Sequence, residues 1–447
     1  MPAAADALDG LAVSLRGQLV RPDDAAYDEA RAVWNAAIDR RPLAIVRCAD
    51  AADIERAVEF ARAHDLVVAV RGGGHSFAGK STCDGGVVVD CSPMRGVEVD
   101  PRRRRARVEA GCTLADLDRA TQAFGLATTM GTAPPTGVAG LTLGGGLGWL
   151  MGRHGLACDN LVAAEIVTAD GRRRRADGDL LWGLRGGGGN FGVVTTFEFQ
   201  LHPVGTVYGG SVSYPLGEVR DVLRRYRDLT ANAPDELTAF VGLLPLATGP
   251  AFAVAACWCG DPARGETVLA PLRSFGTPIE STLRAMPYEE MQALLSPPPL
   301  RLATYARSNL LRALTDDAID ALVAAAETAP PAFGLFFLEH LHGAASRVGP
   351  DEAAFAHRGP AYNLAVMASW MEPADADASA SWVRDFFDRI APFFGAGVYS
   401  NYLMGDEAAG RVRAAYGAAY PRLLAVKRAY DPTNLFRLNQ NIDPSSA

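Results

Sequence analysis

The 447-residue sequence lacks the marks of a membrane or nucleic-acid protein. Its first twenty residues run through Met1, Asp6, Asp9 and Arg16 without a basic start followed by an unbroken apolar stretch. Neither a signal peptide nor a membrane anchor is therefore expected. No C-x-x-C pair occurs among the seven cysteines, an odd number, which argues against a zinc site or redox dithiol. Reduced thiols and a cytoplasmic location are the expectation. Excess positive charge is also absent: 43 Lys and Arg face 51 Asp and Glu, a net charge of −8, so nothing draws the whole chain to nucleic acid or an anionic membrane. Two arginine runs, Arg102 to Arg105 and Arg172 to Arg175, lie beside short β-rich segments and read as solvated hairpin ends. There is no internal repeat and no low-complexity linker.

With 49% hydrophobic residues, the chain can bury a large core in two or three folding units, and a small molecule is the expected partner. From Arg41 to about Gln200, short β-rich runs alternate with helical patterns, an α/β reading. Ala44 to Cys48 reads as a strand, Ala51 to His64 as a helix with Ile54, Val58 and Ala61 on one face, and Leu66 to Val70 as the next strand. Beyond His202-Pro203 a second α/β unit is expected, with strands at Thr238 to Leu244, Phe252 to Trp258 and Phe333 to Leu338 and helices at Glu218 to Thr230 and Asp316 to Thr328. From Tyr399 onward one long alanine-rich helix is expected, stopped at Asp431-Pro432-Thr433-Asn434.

Glycine clusters at Arg71 to Gly79, Gly137 to Gly148 and Gly186 to Gly192 dominate the first unit. Gly74 to Ser81 satisfies the G-x-x-x-x-G-K-[ST] pattern of a nucleotide-hydrolysing P-loop, but Cys83-Asp84-Gly85-Gly86 and Val87-Val88-Val89 follow where that site needs a helix. Gly187 to Gly192 matches G-x-G-x-x-G, yet it leads into the strand-like Val193 to Phe199. The three clusters together suit close approach of bare backbone amides to a pyrophosphate.

In order, Arg71-Gly72-Gly73-Gly74-His75-Ser76, Gly140-Leu141-Thr142-Leu143-Gly144-Gly145-Gly146-Leu147-Gly148 and Arg185 to Val194 resemble the berberine-bridge-enzyme-like flavoprotein oxidases. Tyr399-Ser400-Asn401-Tyr402 and Tyr430 to Ile442 resemble that family's closing segment, so the likeness spans nearly the whole chain. The resemblance implies an α+β fold: a PCMH-type two-part FAD-binding domain (residues 1–206, core about 38–206), a substrate domain of antiparallel sheet and covering helices (207–395), and a C-terminal segment (396–447) returning to the first. It implies FAD bonded covalently to His75 and cradled by Arg71, Gly72, Gly73, Gly74, Ser76 and Gly79, then by Thr136, Gly137, Gly140, Gly144, Gly145, Gly146 and Gly148. Gly155, Leu156, Asp159 and Asn160, then Asn190, Gly192, Val193 and Val194, and finally Tyr402, Asn439 and Asn441 complete the implied cofactor set.

Many members of that family add a cysteinyl link, but the corresponding stretch here is Ala133-Pro134-Pro135-Thr136-Gly137, so a single link is implied. Cys158 reads as a core cysteine, and Thr136 falls where an apolar residue often governs oxygen access. The implied reaction is oxidation of an alcohol, whether of a sugar, an oligosaccharide or a secondary metabolite, by hydride transfer to flavin N5, with O2 as acceptor giving H2O2. A base must take the hydroxyl proton, and Tyr402, then Tyr399, are the candidates if ionised. Glu339, His342 and His357 show no metal spacing or triad, leaving the substrate unread. The alternatives are a flavin dehydrogenase with another acceptor, a non-catalytic flavin-binding protein and, remotely, the P-loop NTPase.

Overall fold

The computed structural model describes residues 7–246, 249–296, 300–328, 333–359 and 361–446; residues 1–6, part of the segment read for a targeting signal, lie outside the described residues. Strands β1 (Gln18–Val20), β2 (Ala44–Arg47), β3 (Val68–Arg71) and β4 (Val87–Asp90) form a sheet in the order β1-β2-β4-β3. β4 runs parallel to both β2 and β3, and the helix Ala51–Ala63 makes the crossover. Asp50 caps that helix by accepting from the amides of Ala52 and Asp53, and Ile54, Val58 and Ala61 are buried beneath it.

The second sheet comprises β5 (Val97–Asp100), β6 (Arg105–Glu109), β7 (Leu161–Val167), β8 (Arg173–Arg175) and β9 (Val193–Gln200), ordered β5-β6-β9-β7-β8. All its pairings are antiparallel, which corrects the α/β reading of this region. Here strands meet by hairpins and long returns, so no helical crossover is needed. Most of the first arginine run sits in the β5–β6 turn, whereas Arg173 to Arg175 form β8 itself. The runs meet local carboxylates, with Arg105 to Glu198 at 3.9 Å and Arg173 to Glu55 at 3.4 Å.

The third sheet contains β10 (Thr206–Ser213), β11 (Leu237–Leu246), β12 (Gly249–Trp258), β13 (Ala303–Leu311), β14 (Gly334–Leu341) and β15 (Ala361–Trp370). Its order is β10-β12-β11-β14-β15-β13, again antiparallel, so the second unit is α+β rather than α/β. The helices Val219–Ala231, Asp316–Ala326 and Ala376–Ile390 cover one face, where Leu223, Leu322 and Phe386 pack on Val241, Phe336 and Val366. On the other face Phe240, Ala253 and Ala255 pack against Trp149, Leu150 and Met151 from the glycine-rich half. Among the described residues no helix is long and apolar enough to cross a membrane.

The expected long C-terminal helix is broken. Ala409–Tyr416 ends at Gly417, whose φ of +48° no helix admits, and a second helix, Tyr420–Tyr430, starts with Pro421 in its first turn. Leu423, Val426, Phe436 and Ile442 then bury in the core that holds Val193 and Phe197. The side chain of Lys427 is fully buried, donating to Asp431 Oδ2 at 2.7 Å and to the carbonyls of Asn190 at 2.9 Å and Phe436 at 3.2 Å. Asp431 also accepts from the amides of Leu435 and Phe436. Removing one partner strands a buried charge, so Asp431→Ala is expected to destabilise the protein by about 3–5 kcal/mol, read as a lowered denaturant midpoint.

Candidate active site

A cavity of about 670 Å³ lies between the glycine-rich loops and the face of the third sheet opposite its covering helices. Its first wall is the turn after β3. Gly73 and Gly137 meet backbone to backbone, and a Cβ added to either would stand 2.3 Å from the other's amide nitrogen. Only two bare backbones fit there. No helix opens at Lys80. Its ammonium donates instead to the Asn439 carbonyl and, at 3.0 Å, to Gln440 Oε1, which removes the geometry a P-loop requires. Gly192 likewise leads directly into strand β9.

His75 sits in this turn, stacked on Trp34 with ring centroids 4.5 Å apart and 20° between planes. Its Nε2 is buried without a hydrogen-bond partner, and burial pushes the imidazole pKa down to about 4. The ring is thus neutral at physiological pH. Ser81 Oγ, on the same cavity wall, is also buried and unpartnered. Native interiors rarely leave such atoms unsatisfied, so these orphans fit a polar group bound between the glycine loops.

The facing wall comes from β14. Glu339 is 3% exposed, with Oε2 accepting from Asn363 Nδ2 at 2.7 Å and Oε1 accepting from Tyr402 Oη at 3.3 Å. Asn363 Oδ1 in turn accepts from Ser308 Oγ at 3.0 Å. Burial outweighs these hydrogen bonds and pushes the carboxyl pKa up to about 7. Tyr399 Oη accepts from the Gly146 amide at 3.0 Å and from Asn401 Nδ2 at 2.9 Å. Burial raises the pKa of both tyrosines, and the Glu339 charge raises Tyr402 further. That is the opposite of what an ionised tyrosine base needs.

Of the residues expected at the cofactor and substrate, Gly72, Gly73, Gly74, His75, Ser76, Thr136, Gly137, Gly140, Gly144, Gly192, Val194, Tyr399, Tyr402 and Asn439 line the cavity, as does Ala133. The others stand behind its wall. Arg71 is buried and donates to the Ala30 carbonyl, and Gly79 lies against Ile38. Gly145, Gly146 and Gly148 pack on Phe355, Ala157 and Met130. Asp159, beside Gly155, accepts from the Leu156 amide and pairs with Arg358 at 2.7 Å. Asn160 donates to the carbonyls of His154 and Leu156. Asn190 bonds the Gly187 carbonyl, Val193 is buried in the first core, and Asn441 is absent from the lining. Cys158 is buried in the core.

Glu339, whose role the sequence left open, is among the described residues the one carboxyl that lines the cavity. A lone acid in the apolar run Phe336-Phe337-Leu338 was the available signal, since burying a carboxyl is costly without purpose. Trp34, Phe77 and Lys80 carried no such mark. His342 and His357 lie off the cavity, with His357 Nε2 2.8 Å from the Ala414 carbonyl.

Glycine loops that bring bare backbones together, joined to a dry carboxyl on an antiparallel sheet, make a cavity suited to a dinucleotide cofactor and to proton transfer. Residues 42–177 match the FAD binding domain family and residues 398–443 the berberine and berberine-like family. The chain is 34% identical to a FAD-linked oxidoreductase of Dictyostelium discoideum over 92% of its length and 91% of that protein. It is 30% identical to (R)-6-hydroxynicotine oxidase of Paenarthrobacter nicotinovorans, covering 97% of this chain and 98% of that one. The crystal structure of 6-hydroxy-D-nicotine oxidase from Arthrobacter nicotinovorans matches with a TM-score of 0.89 at 29% identity, over 97% of this chain and 99% of that one. The chain belongs to the berberine-bridge-enzyme-like FAD-linked oxidoreductases.

Gly137→Ala tests the loop contact. Overpacking against Gly73 is expected to cost about 1–3 kcal/mol locally and to lower the flavin bound per protein, read as the ratio of visible to ultraviolet absorbance.

Proposed function

We propose that this enzyme holds FAD through one covalent bond from His75 and oxidises an alcohol to a carbonyl, with Glu339 as the base and O2 as the acceptor, giving H2O2. The observation that carries the reading is the neutral, unpartnered imidazole of His75 in the same cavity as a carboxyl poised near neutrality. A neutral imidazole has the free lone pair that bond formation requires. Ala133 offers no thiol for a second link. When bound, FAD supplies the acceptor for the hydride that leaves the substrate carbon. In this proposal, residues 1–206 and 396–447 serve the cofactor and residues 207–395 the substrate.

The protein's own part is the proton. Asn363 occupies Glu339 Oε2 as a donor, so an incoming proton belongs on Oε1, the oxygen that meets Tyr402. A substrate hydroxyl then loses its proton to Oε1, directly or through Tyr402 Oη, as its C–O bond becomes C=O. Tyr402 thus acts as a neutral relay, and Tyr399, occupied by two N–H donors, orients it from a ring centroid 4.9 Å away.

Two measurements test this. Yellow colour should stay with the acid-precipitated protein and be lost from the precipitate of His75→Ala; colour released from the wild type would rule out the covalent bond. The rate of flavin reduction should rise as pH passes about 7, because the carboxylate is the active form. Glu339→Gln should remove that rise and slow reduction about 10²–10⁴-fold; an unchanged pH profile would remove Glu339 from the role.

A further inference from the structure

We propose that the substrate is a predominantly apolar, ring-sized alcohol carrying a single reacting hydroxyl, and not a sugar or oligosaccharide. This rests on the alcohol-oxidising reading above and names the class that the cavity selects. The argument begins with strand register. Leu335 pairs with Met367, Phe337 with Ala365 and Glu339 with Asn363, so these side chains share the cavity face. Leu335, Phe337 and Met367 are half-buried there, while Phe336, Leu338 and Val366 are buried under the helices. Phe240 lies opposite Glu339 and Gly242 opposite Phe337 on the neighbouring strand, which adds a ring and leaves room above the sheet.

The polar groups on this wall are already engaged. Thr304 Oγ1 and Ser369 Oγ bond each other at 2.9 Å, and the Thr304 backbone is held on both sides by Asn35. Asn363 is occupied by Glu339 and Ser308. What remains open is the Glu339–Tyr402 pair and Ser296 Oγ, which is buried without a partner. The rim is apolar as well: Leu300 is 51% exposed and Phe333 40%. A sugar entering this space would leave several hydroxyls unpaired, each costing roughly tenfold or more in affinity. An aryl or alicyclic alcohol matches the wall and needs only one polar contact.

The test uses the flavin-loaded enzyme without oxygen, following loss of flavin absorbance with 2-tetralol, D-glucose and cellobiose. The expected kcat/KM for 2-tetralol exceeds that for either sugar by about 100-fold, and Phe337→Asn should raise its KM about tenfold. In parallel, 2-tetralone, which cannot be oxidised as an alcohol, should perturb the flavin spectrum at lower concentration than cellobiose. A sugar that reduces the flavin more efficiently, or binds more tightly, overturns the inference and leaves alcohol oxidation standing. Tight binding of tetralone with no reduction by any alcohol upholds the apolar class and overturns the alcohol reading. A flavin that no tetralin compound perturbs or reduces overturns the inference.

Discussion

The buried ammonium of Lys427 ties the third glycine loop to the end of the chain, and the geometry of the cavity follows from that tie. A fully buried charge is tolerated only when paired and hydrogen-bonded. Here one carboxylate and two carbonyls surround it, one of them Asn190 in the loop that leads into β9. The chain contains two lysines, and the second has the same task. Lys80 reaches from the His75 turn to Asn439 and Gln440, so both glycine loops are fastened to the closing segment. Ahead of these anchors the same segment carries Tyr399 and Tyr402 to the cavity.

With the walls fixed, a single cause sets the chemistry. Removing water penalises whichever form of a group is charged. In one dry cavity this lowers the His75 imidazole, raises the Glu339 carboxyl and raises the Tyr402 phenol. The outcome is asymmetric because the starting values differ. Histidine and tyrosine are driven away from neutrality and stay uncharged, whereas glutamate is driven towards it. Of these three groups Glu339 alone is left able to exchange a proton near pH 7, and no positive neighbour is needed to make it so.

How much of this was legible in the sequence depends on the distance over which each feature is decided. The β2–helix–β3 unit, the hairpin at Arg102 and the glycine turns follow from periodicity and turn chemistry within a few residues, and they appear within a residue or two of their expected bounds. The break at Gly417 was local as well, yet the alanine-rich surroundings masked a glycine and a proline four residues apart. Strand order was not legible, since an antiparallel sheet and a parallel one draw on the same β-rich runs. Nor was the division of the glycine set into residues that line the cavity and residues such as Gly148 and Arg71 that support it. The role proposed for Glu339 depends on Asn363 and Tyr402, on separate elements that only the fold brings within hydrogen-bond reach.

Strand β14 shows why recognition and chemistry can vary separately in this architecture. Its even-numbered residues, Phe336 and Leu338, hold the helical layer, while Leu335, Phe337 and Glu339 face the cavity. A slip of one residue would exchange the two sets, so the buried helical core fixes the register and thereby the aim of the carboxyl. Within that register, Glu339 takes its hydrogen bonds from Asn363 and Tyr402, and neither bond passes through Leu335, Phe337 or Met367. Leu335 and Met367 stand outside the hydrogen bonds of the proposed proton site and can change without disturbing them, whereas Phe337 packs edge-on against the Tyr402 ring with centroids 6.4 Å apart. Selection for a new substrate would act on cavity-facing positions of β14 and β15, leaving Glu339, Asn363 and the His75 turn as they are.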